Sequence, residues 1–300
     1  MDDSLAHSQP TREALVATAG ETIARGSKSF RLASRLFDRT TRERAWLLYA
    51  WCRHCDDLCD GQTLGHDARS VIDAQERLSL LRVGTQAALD GRPVGEMPFD
   101  ALRLVAAECA LPHPYVWDHI AGFELDARDW RPRSQADMIQ YCYHVAGAVG
   151  CMMAVIMGVG PDDEDTLARA SDLGIAFQLA NIARDLADDD AIGRCYLPEE
   201  WLAEQDIPPG QQMRPEYRDR MAILARRLAD LVETYEASAR IGARKLPFRA
   251  RWAVLTAAGI YGDIAREVAR RGPRAWDSRV VIGRPAKLSW VARSWREARS

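Results

Sequence analysis

The sequence lacks a long apolar run. No uninterrupted stretch reaches the roughly 18–20 residues that a membrane-spanning helix needs, and alternating apolar and polar positions bounded by hairpin turns are missing too. The first residues, MDDSLAHSQP, carry neither a basic nor an apolar leader segment, which predicts no secretory signal. There is no GxxxxGK[ST] loop, so a P-loop phosphate site is excluded. No GxGxxG joins a strand to a helix, which disfavours a nicotinamide cofactor. A Pro/Gly/Ser-rich linker, a low-complexity block and an internal repeat are all absent, so residues 1–300 read as a single domain, with about ten residues at each end less firmly held. The formal net charge of −3 leaves no electrostatic footprint for nucleic acid.

The seven cysteines do not make a framework. Their number is odd, and Cys52-x-x-Cys55 is followed by no second CxxC and no His pair at zinc spacing. They read as buried thiols in a reducing compartment, which makes the cytoplasm the expected location.

What the chain does have is helical periodicity almost throughout. Thr40-Thr41-Arg42-Glu43 offers a capping box for a long helix that Gly61 ends. Ser134 is a weaker cap for a helix running to about Val155, and Pro161 opens another that carries Leu167 to about Leu186. Residues 214–245 and 249–271 read as two long helices split at Pro247, with shorter ones over 12–25, 67–89, 99–110 and 115–129. The fold class is therefore all-α, a bundle of eight to eleven helices.

Two polar constellations interrupt this apolar pattern. The first is Arg53-His54-Cys55-Asp56-Asp57-Leu58-Cys59-Asp60. Asp56 and Asp60 are four residues apart and share a helix face, with Arg53 one turn before them. Acids at a helix C-terminus oppose the macrodipole, so a cation should compensate them. The second is Gln178, Asn181, Asp185 and Asp189, a polar ladder beside Arg184 on an otherwise apolar helix. One such aspartate pair is an ordinary solvated surface. Two, each with an adjacent arginine, point to Mg²⁺ held by carboxylates and completed by phosphate oxygens.

With these residues the chain resembles the squalene/phytoene synthase family, its bacterial phytoene-forming members most of all. The resemblance rests on Gly26-Ser27-Lys28-Ser29-Phe30, on the stretch from Tyr49 to Asp57, on Tyr141 to Gly147, on Gln178 to Asp185 and on Gly193 to Pro198. It implies the class I isoprenoid synthase fold and the head-to-head condensation of two geranylgeranyl diphosphates, through a cyclopropyl (prephytoene) diphosphate, to phytoene. The same chemistry on farnesyl diphosphate, giving dehydrosqualene or squalene, is the alternative. A relative without catalysis is disfavoured by the intact aspartate motifs. A membrane-embedded aromatic prenyltransferase is disfavoured by the lack of spanning runs.

The resemblance also implies roles. Asp56, Asp60, Asp185 and Asp189, with Asn181, are implied as ligands of Mg²⁺ or Mn²⁺, and Asp57 and Asp188 as less regular members of the two motifs. Arg53, Arg184 and Gln178 are implied as diphosphate or metal-shell groups. Ser27 and Lys28 lie on a diphosphate-contacting loop, or simply open a helix. Tyr49, Tyr141 and Tyr261 are implied as pocket tyrosines, Tyr141 and Tyr261 as catalytic, and Arg279 as a further diphosphate contact. NADPH is not expected. The small residues Ala146, Gly147, Ala148, Val149 and Gly150 either open a tunnel for the prenyl tail or let two helices pack closely. The arginine-rich segment from Arg266 onward, with Leu288, Trp290, Val291 and Trp295, is expected either to be solvated and packed or to make peripheral contact with a membrane. Downstream carotenoid enzymes are the other partners implied.

Overall fold

Among the described residues the helix-forming sequence yields helices joined by turns. The computed structural model describes residues 10–60 and 74–300, apart from the side chains of Lys28 and Asp60, and no strand occurs among them. In chain order the helices are α1 (Arg12–Gly26), α2 (Lys28–Ser34), α3 (Arg39–Asp60), α4 (Ala74–Leu89), α5 (Met97–Cys109), α6 (His113–Asp126), α7 (Gln135–Cys142), α8 (Ala148–Ile156), α9 (Glu164–Ala191), α10 (Glu199–Glu204), α11 (Arg218–Ala243), α12 (Phe248–Arg271) and α13 (Arg284–Arg299). A π-helical turn, Tyr143–Gly147, joins α7 to α8. Among the described residues this is more helices than the periodicity predicts. One expected helix is divided by the π turn, and α2, α10 and α13 lacked a clear apolar repeat. The expected stop at Gly61 lies outside the described residues.

The described residues gather into two compact units, one within 1–31 and 39–111, the other within 32–38 and 112–300. In the first, α3 is the centre. Its Ala45, Leu47, Leu48, Trp51 and Cys55 are buried, as are Leu15, Ala19 and Ile23 of α1 and Phe99, Leu102 and Val105 of α5. Ion pairs lace α1, α3 and α5 together: Arg12 to Glu43 (2.6 Å), Arg12 to Glu108 (2.7 Å) and Arg44 to Glu108 (2.8 Å). Glu43 was expected to close a capping box with Thr40. It instead sits inside α3, which begins at Arg39, and accepts from Arg12 and Arg39. Two charged donors outweigh one backbone N–H.

The second unit is built on α9, whose 28 residues span about 42 Å. Asp163 caps it by accepting from Thr166 N (3.2 Å). Ser134 caps α7 through a complete capping box with Asp137. Residues Gln135–Ile156 form a stretch that, by length and composition alone, is apolar enough to cross a bilayer. Half of its apolar window is buried inside the unit, and its glycines press on α9. Those two facts account for the composition as that of a core helix. A Cβ at Gly150 would lie 2.2 Å from Ala170 O, and one at Gly174 2.1 Å from Ala146 O. Between the two readings of this small-residue run, close packing is what the structure has at Ala146, Gly147 and Gly150.

Gly174→Ala is therefore expected to destabilise the protein. Alanine gains about 1 kcal/mol in helix propensity, but parting two helix backbones costs about 3 kcal/mol. The net loss of about 2 kcal/mol should appear as a lower urea midpoint. An unchanged or higher midpoint would show that the helices separate freely.

Candidate active site

On α9, successive turns place Gln178, Asn181, Asp185 and Asp189 on one face, all partly buried. The ladder runs beside an apolar face that is packed: Ile175, Leu179, Ile182 and Leu186 fill the core of the unit. Gln178 and Asn181 make no side-chain hydrogen bond among the described residues, so both remain available to a ligand.

Asp185 is the electrostatic hub. Arg184 donates to it twice, from Nε (2.7 Å) and Nη2 (2.5 Å). Arg279 approaches from the segment before α13, with Nη2 2.9 Å from Asp185 Oδ1 and Nη1 donating to Asp188. Trp276 Nε1 donates to Ala183 O (3.0 Å) and pins that segment to α9. Asp189 has the opposite balance. Burial, and then the charge of Asp185, push its carboxyl up to about 7, with Arg194 opposing. A carboxylate so placed gains from any added cation.

The aromatic residues divide. Tyr261 of α12 is half-buried and stacks on Phe177 of α9, with centroids 4.1 Å apart. Tyr141 is buried, its ring held between Trp130 (5.6 Å) and Tyr196 (4.9 Å). Its hydroxyl donates to both oxygens of Asp126 (3.1 and 3.0 Å), which also accepts from Tyr196 (3.1 Å). Asp126 in turn adds to the negative field on Asp189. Sequence reasoning passed over Asp126, Tyr196 and Phe177. For Asp126 the available signal was an acid in the last turn of a helix, against the dipole. For Tyr196 it was its place in the stretch Gly193 to Pro198 that carries the family resemblance; for Phe177 there was none beyond its neighbours.

In the other unit, α3 carries Arg53 and Asp56, paired at 3.3 Å, and Tyr49 lies one turn earlier with its ring 5.8 Å below the Arg53 guanidinium. Burial works against the charge on Arg53, but Asp56 and Tyr49 more than offset it. Phe30 packs on Tyr49 at 5.5 Å. Gly26 has a reason to be glycine, since a Cβ there would meet Tyr49 Oη at 2.5 Å. Ser27 Oγ accepts from Phe30 N (3.3 Å) and so caps α2. The side chains of Lys28 and Asp60 lie outside the described residues. Asp57 shares the last turns of α3 with Asp56.

Among the described residues no three His, Cys, Asp or Glu side chains gather into a ready-made metal cage. Two carboxylates one turn apart, as in α9, suit a hard cation that takes its remaining ligands from water and phosphate. Arg53, Arg184 and Arg279 are each paired with an aspartate of these motifs. The arrangement can bind a diphosphate through both parts, cation on the carboxylates and guanidinium on the phosphate oxygens.

Comparison with known proteins agrees with this arrangement. Residues 23–286 match the squalene/phytoene synthase family. The chain is 46% identical over 273 residues to a 15-cis-phytoene synthase of Pantoea ananas, covering 90% of this chain and 88% of that one. It is 44% identical over 290 residues to a 15-cis-phytoene synthase of a Paracoccus species, covering 95% and 93%. A crystal structure of a dehydrosqualene synthase in complex with ligand superposes with a TM-score of 0.85 at 24% identity, over 96% of this chain and 98% of the other, which places the bundle in the isoprenoid synthase fold. The chain belongs to the squalene/phytoene synthase family.

Proposed function

We propose that this protein joins two molecules of geranylgeranyl diphosphate head to head, through prephytoene diphosphate, to make phytoene, the first committed step of carotenoid synthesis. The observation that carries the reading is the likeness to 15-cis-phytoene synthases at 44–46% identity over about nine-tenths of the chain. The polar ladder of α9 supports it from the side of chemistry.

In this reaction a C–O bond of one substrate breaks and diphosphate leaves. The allylic cation alkylates the double bond of the second substrate, a proton is lost, and a cyclopropylcarbinyl diphosphate results. That intermediate loses its own diphosphate, rearranges and gives up a proton. Asp56 and Asp60 in one motif, and Asp185 and Asp189 with Asn181 in the other, would hold Mg²⁺ or Mn²⁺. The bound metal supplies Lewis-acid neutralisation of the leaving diphosphate. Arg53, Arg184 and Arg279 exchange a carboxylate for a phosphate oxygen as the substrate arrives, so charge develops against donors already in place. Gln178 extends that set of donors. Tyr49 and Tyr261 present ring faces, which stabilise a cation without capturing it. Phe177 holds Tyr261 in orientation. Tyr141 acts through Asp126, whose carboxylate it and Tyr196 keep in place beside the α9 motif. Ser27 and Lys28, where α2 begins, are the further diphosphate contacts that the family likeness implies.

The decisive experiment incubates purified protein with geranylgeranyl or farnesyl diphosphate and Mg²⁺, with no reductant, and identifies the hydrocarbon. Phytoene from the longer substrate is expected. Preference for farnesyl diphosphate, or a cyclopropyl intermediate that accumulates until NADPH is added, would sink the reading. On this reading the enzyme works in the cytoplasm and delivers its hydrocarbon to a membrane or to a following carotenoid enzyme.

A further inference from the structure

The C-terminal helix has two different sides. Its inner side is bound tightly into the second unit. Trp290 Nε1 donates to Asp263 Oδ2 (2.5 Å), and the ring is surrounded by Arg240, Arg266 and Arg293 with guanidinium carbons 5.7, 5.9 and 5.4 Å from its centroid. Ser294 and Ala298 are buried. Glu297, the helix's one acid, is taken by Arg240 (2.6 Å). Trp290 is thus a packing residue and is not free for lipid. A Cβ at Gly259 would collide with its ring at 2.2 Å.

The outer side is the reverse. At about 100° per residue, Arg284, Leu288, Trp295 and Arg299 fall within about 60° of one another, with Arg296 at the edge. Leu288 is 63% exposed and Trp295 39%. Arg284, Arg296 and Arg299 are exposed and make no ion pair among the described residues. Arg299 lies over the Trp295 ring at 4.4 Å, which leaves an apolar body with a charged rim. No acid shares this face. Exposed Leu and Trp between unpaired arginines, on a helix fixed firmly from behind, is the composition of an interfacial helix lying flat on a charged bilayer.

We propose that the outward face of α13 docks the protein on an anionic lipid surface, with Leu288 and Trp295 entering the headgroup layer and Arg284, Arg296 and Arg299 pairing with lipid phosphates. The need for such a dock rests on the proposed function, since amphiphilic substrate and hydrocarbon product both reside in membrane. The surface itself does not depend on that reading. The commitment is to lipid because charge complementarity is what the face offers: three free cations and no acid.

The test is co-sedimentation of the full chain with vesicles of phosphatidylcholine alone or with added phosphatidylglycerol. Binding to the anionic vesicles is expected to fall as salt shortens the Debye length. One arginine near an anionic surface is worth about fivefold in binding, so R284Q/R296Q/R299Q should bind about 100-fold more weakly. L288S/W295S should lose the binding that persists at high salt. Both variants should keep wild-type helicity and wild-type turnover on detergent-dispersed substrate, since none of these residues belongs to the site. The inactive variant Asp185→Asn should still sediment, which separates failure of docking from failure of the catalytic reading. Equal sedimentation with neutral and anionic vesicles, or full binding by the triple variant, overturns the proposal. No sedimentation of the wild type overturns it too and leaves an acidic protein surface as the occupant to seek.

Discussion

Asp185→Asn is expected to lower turnover by about 10²–10³-fold, the size of effect seen when one preorganised electrostatic group is lost from an active site. The side chain keeps its shape but loses its charge. Arg184 and Arg279 both bond to Asp185, so the substitution removes their shared counter-ion together with an oxygen ligand for a cation. Asp189, one turn on, is then left as the remaining strong ligand of its motif. The fold should survive, because Asp185 lies on the polar face of α9 and the apolar face is untouched. Circular dichroism should therefore be unchanged while Mn²⁺ affinity, read by titration, drops. EDTA on the wild type should abolish turnover, and Mg²⁺ should restore it. Near wild-type turnover in EDTA, or in the Asn variant, would remove cation-assisted loss of diphosphate from the account.

Asp185 also marks how far the sequence could be read. The α9 ladder was legible because Gln178, Asn181, Asp185 and Asp189 follow the helical period on a helix whose other faces are apolar. The same is true of Arg53 and Asp56. What periodicity cannot carry is an encounter between residues far apart in the chain. Family likeness marked Arg279 only as a diphosphate contact; that it reaches Asp185 and Asp188, across some ninety positions, is seen only in the structure. The contact depends on Trp276 anchoring its segment to Ala183. Asp126 had no repeated partner at helical spacing, and its role depends on two tyrosines from α7 and from the segment before α10. The capping box at Thr40 failed for a related reason, since Glu43 found arginines of tertiary origin. The π turn at Tyr143–Gly147 is likewise set from outside, by Asp118 accepting from Tyr143 Oη (2.5 Å) and by His119 Nδ1 meeting His144 O (3.3 Å). Local pattern specifies which face of a helix is polar; partners on other helices decide what that face does.

The second large effect is expected far from the chemistry, at Glu236. This residue of α11 is 5% exposed and accepts from Arg240 (2.6 Å) and from Arg266 (3.0 Å). There is room for it only because position 262 is glycine, where a Cβ would come within 2.2 Å of Glu236 Oε2. Through the two arginines it supports the cage around Trp290 and hence the seat of α13. Glu236→Gln keeps the volume and removes the charge, which leaves the two guanidinium groups that share it without their common buried counter-ion. Breaking a buried pair in this way costs about 3–5 kcal/mol. The lower end is expected here, because Arg240 keeps Glu297 and Arg266 keeps Asp263. Urea unfolding should show a loss of about 3 kcal/mol. Removing the excess charge should recover part of it, so Glu236→Gln combined with Arg266→Met should be more stable than Glu236→Gln alone. A loss below about 1 kcal/mol would mean that the pair behaves as a solvated surface bridge. In that case the rigid seat of α13, on which its outward face depends, would have to come from Trp290 packing, from buried Ser294 and Ala298, and from the hydrogen bonds of Trp252 to Val291 O and Arg251 to Ala298 O.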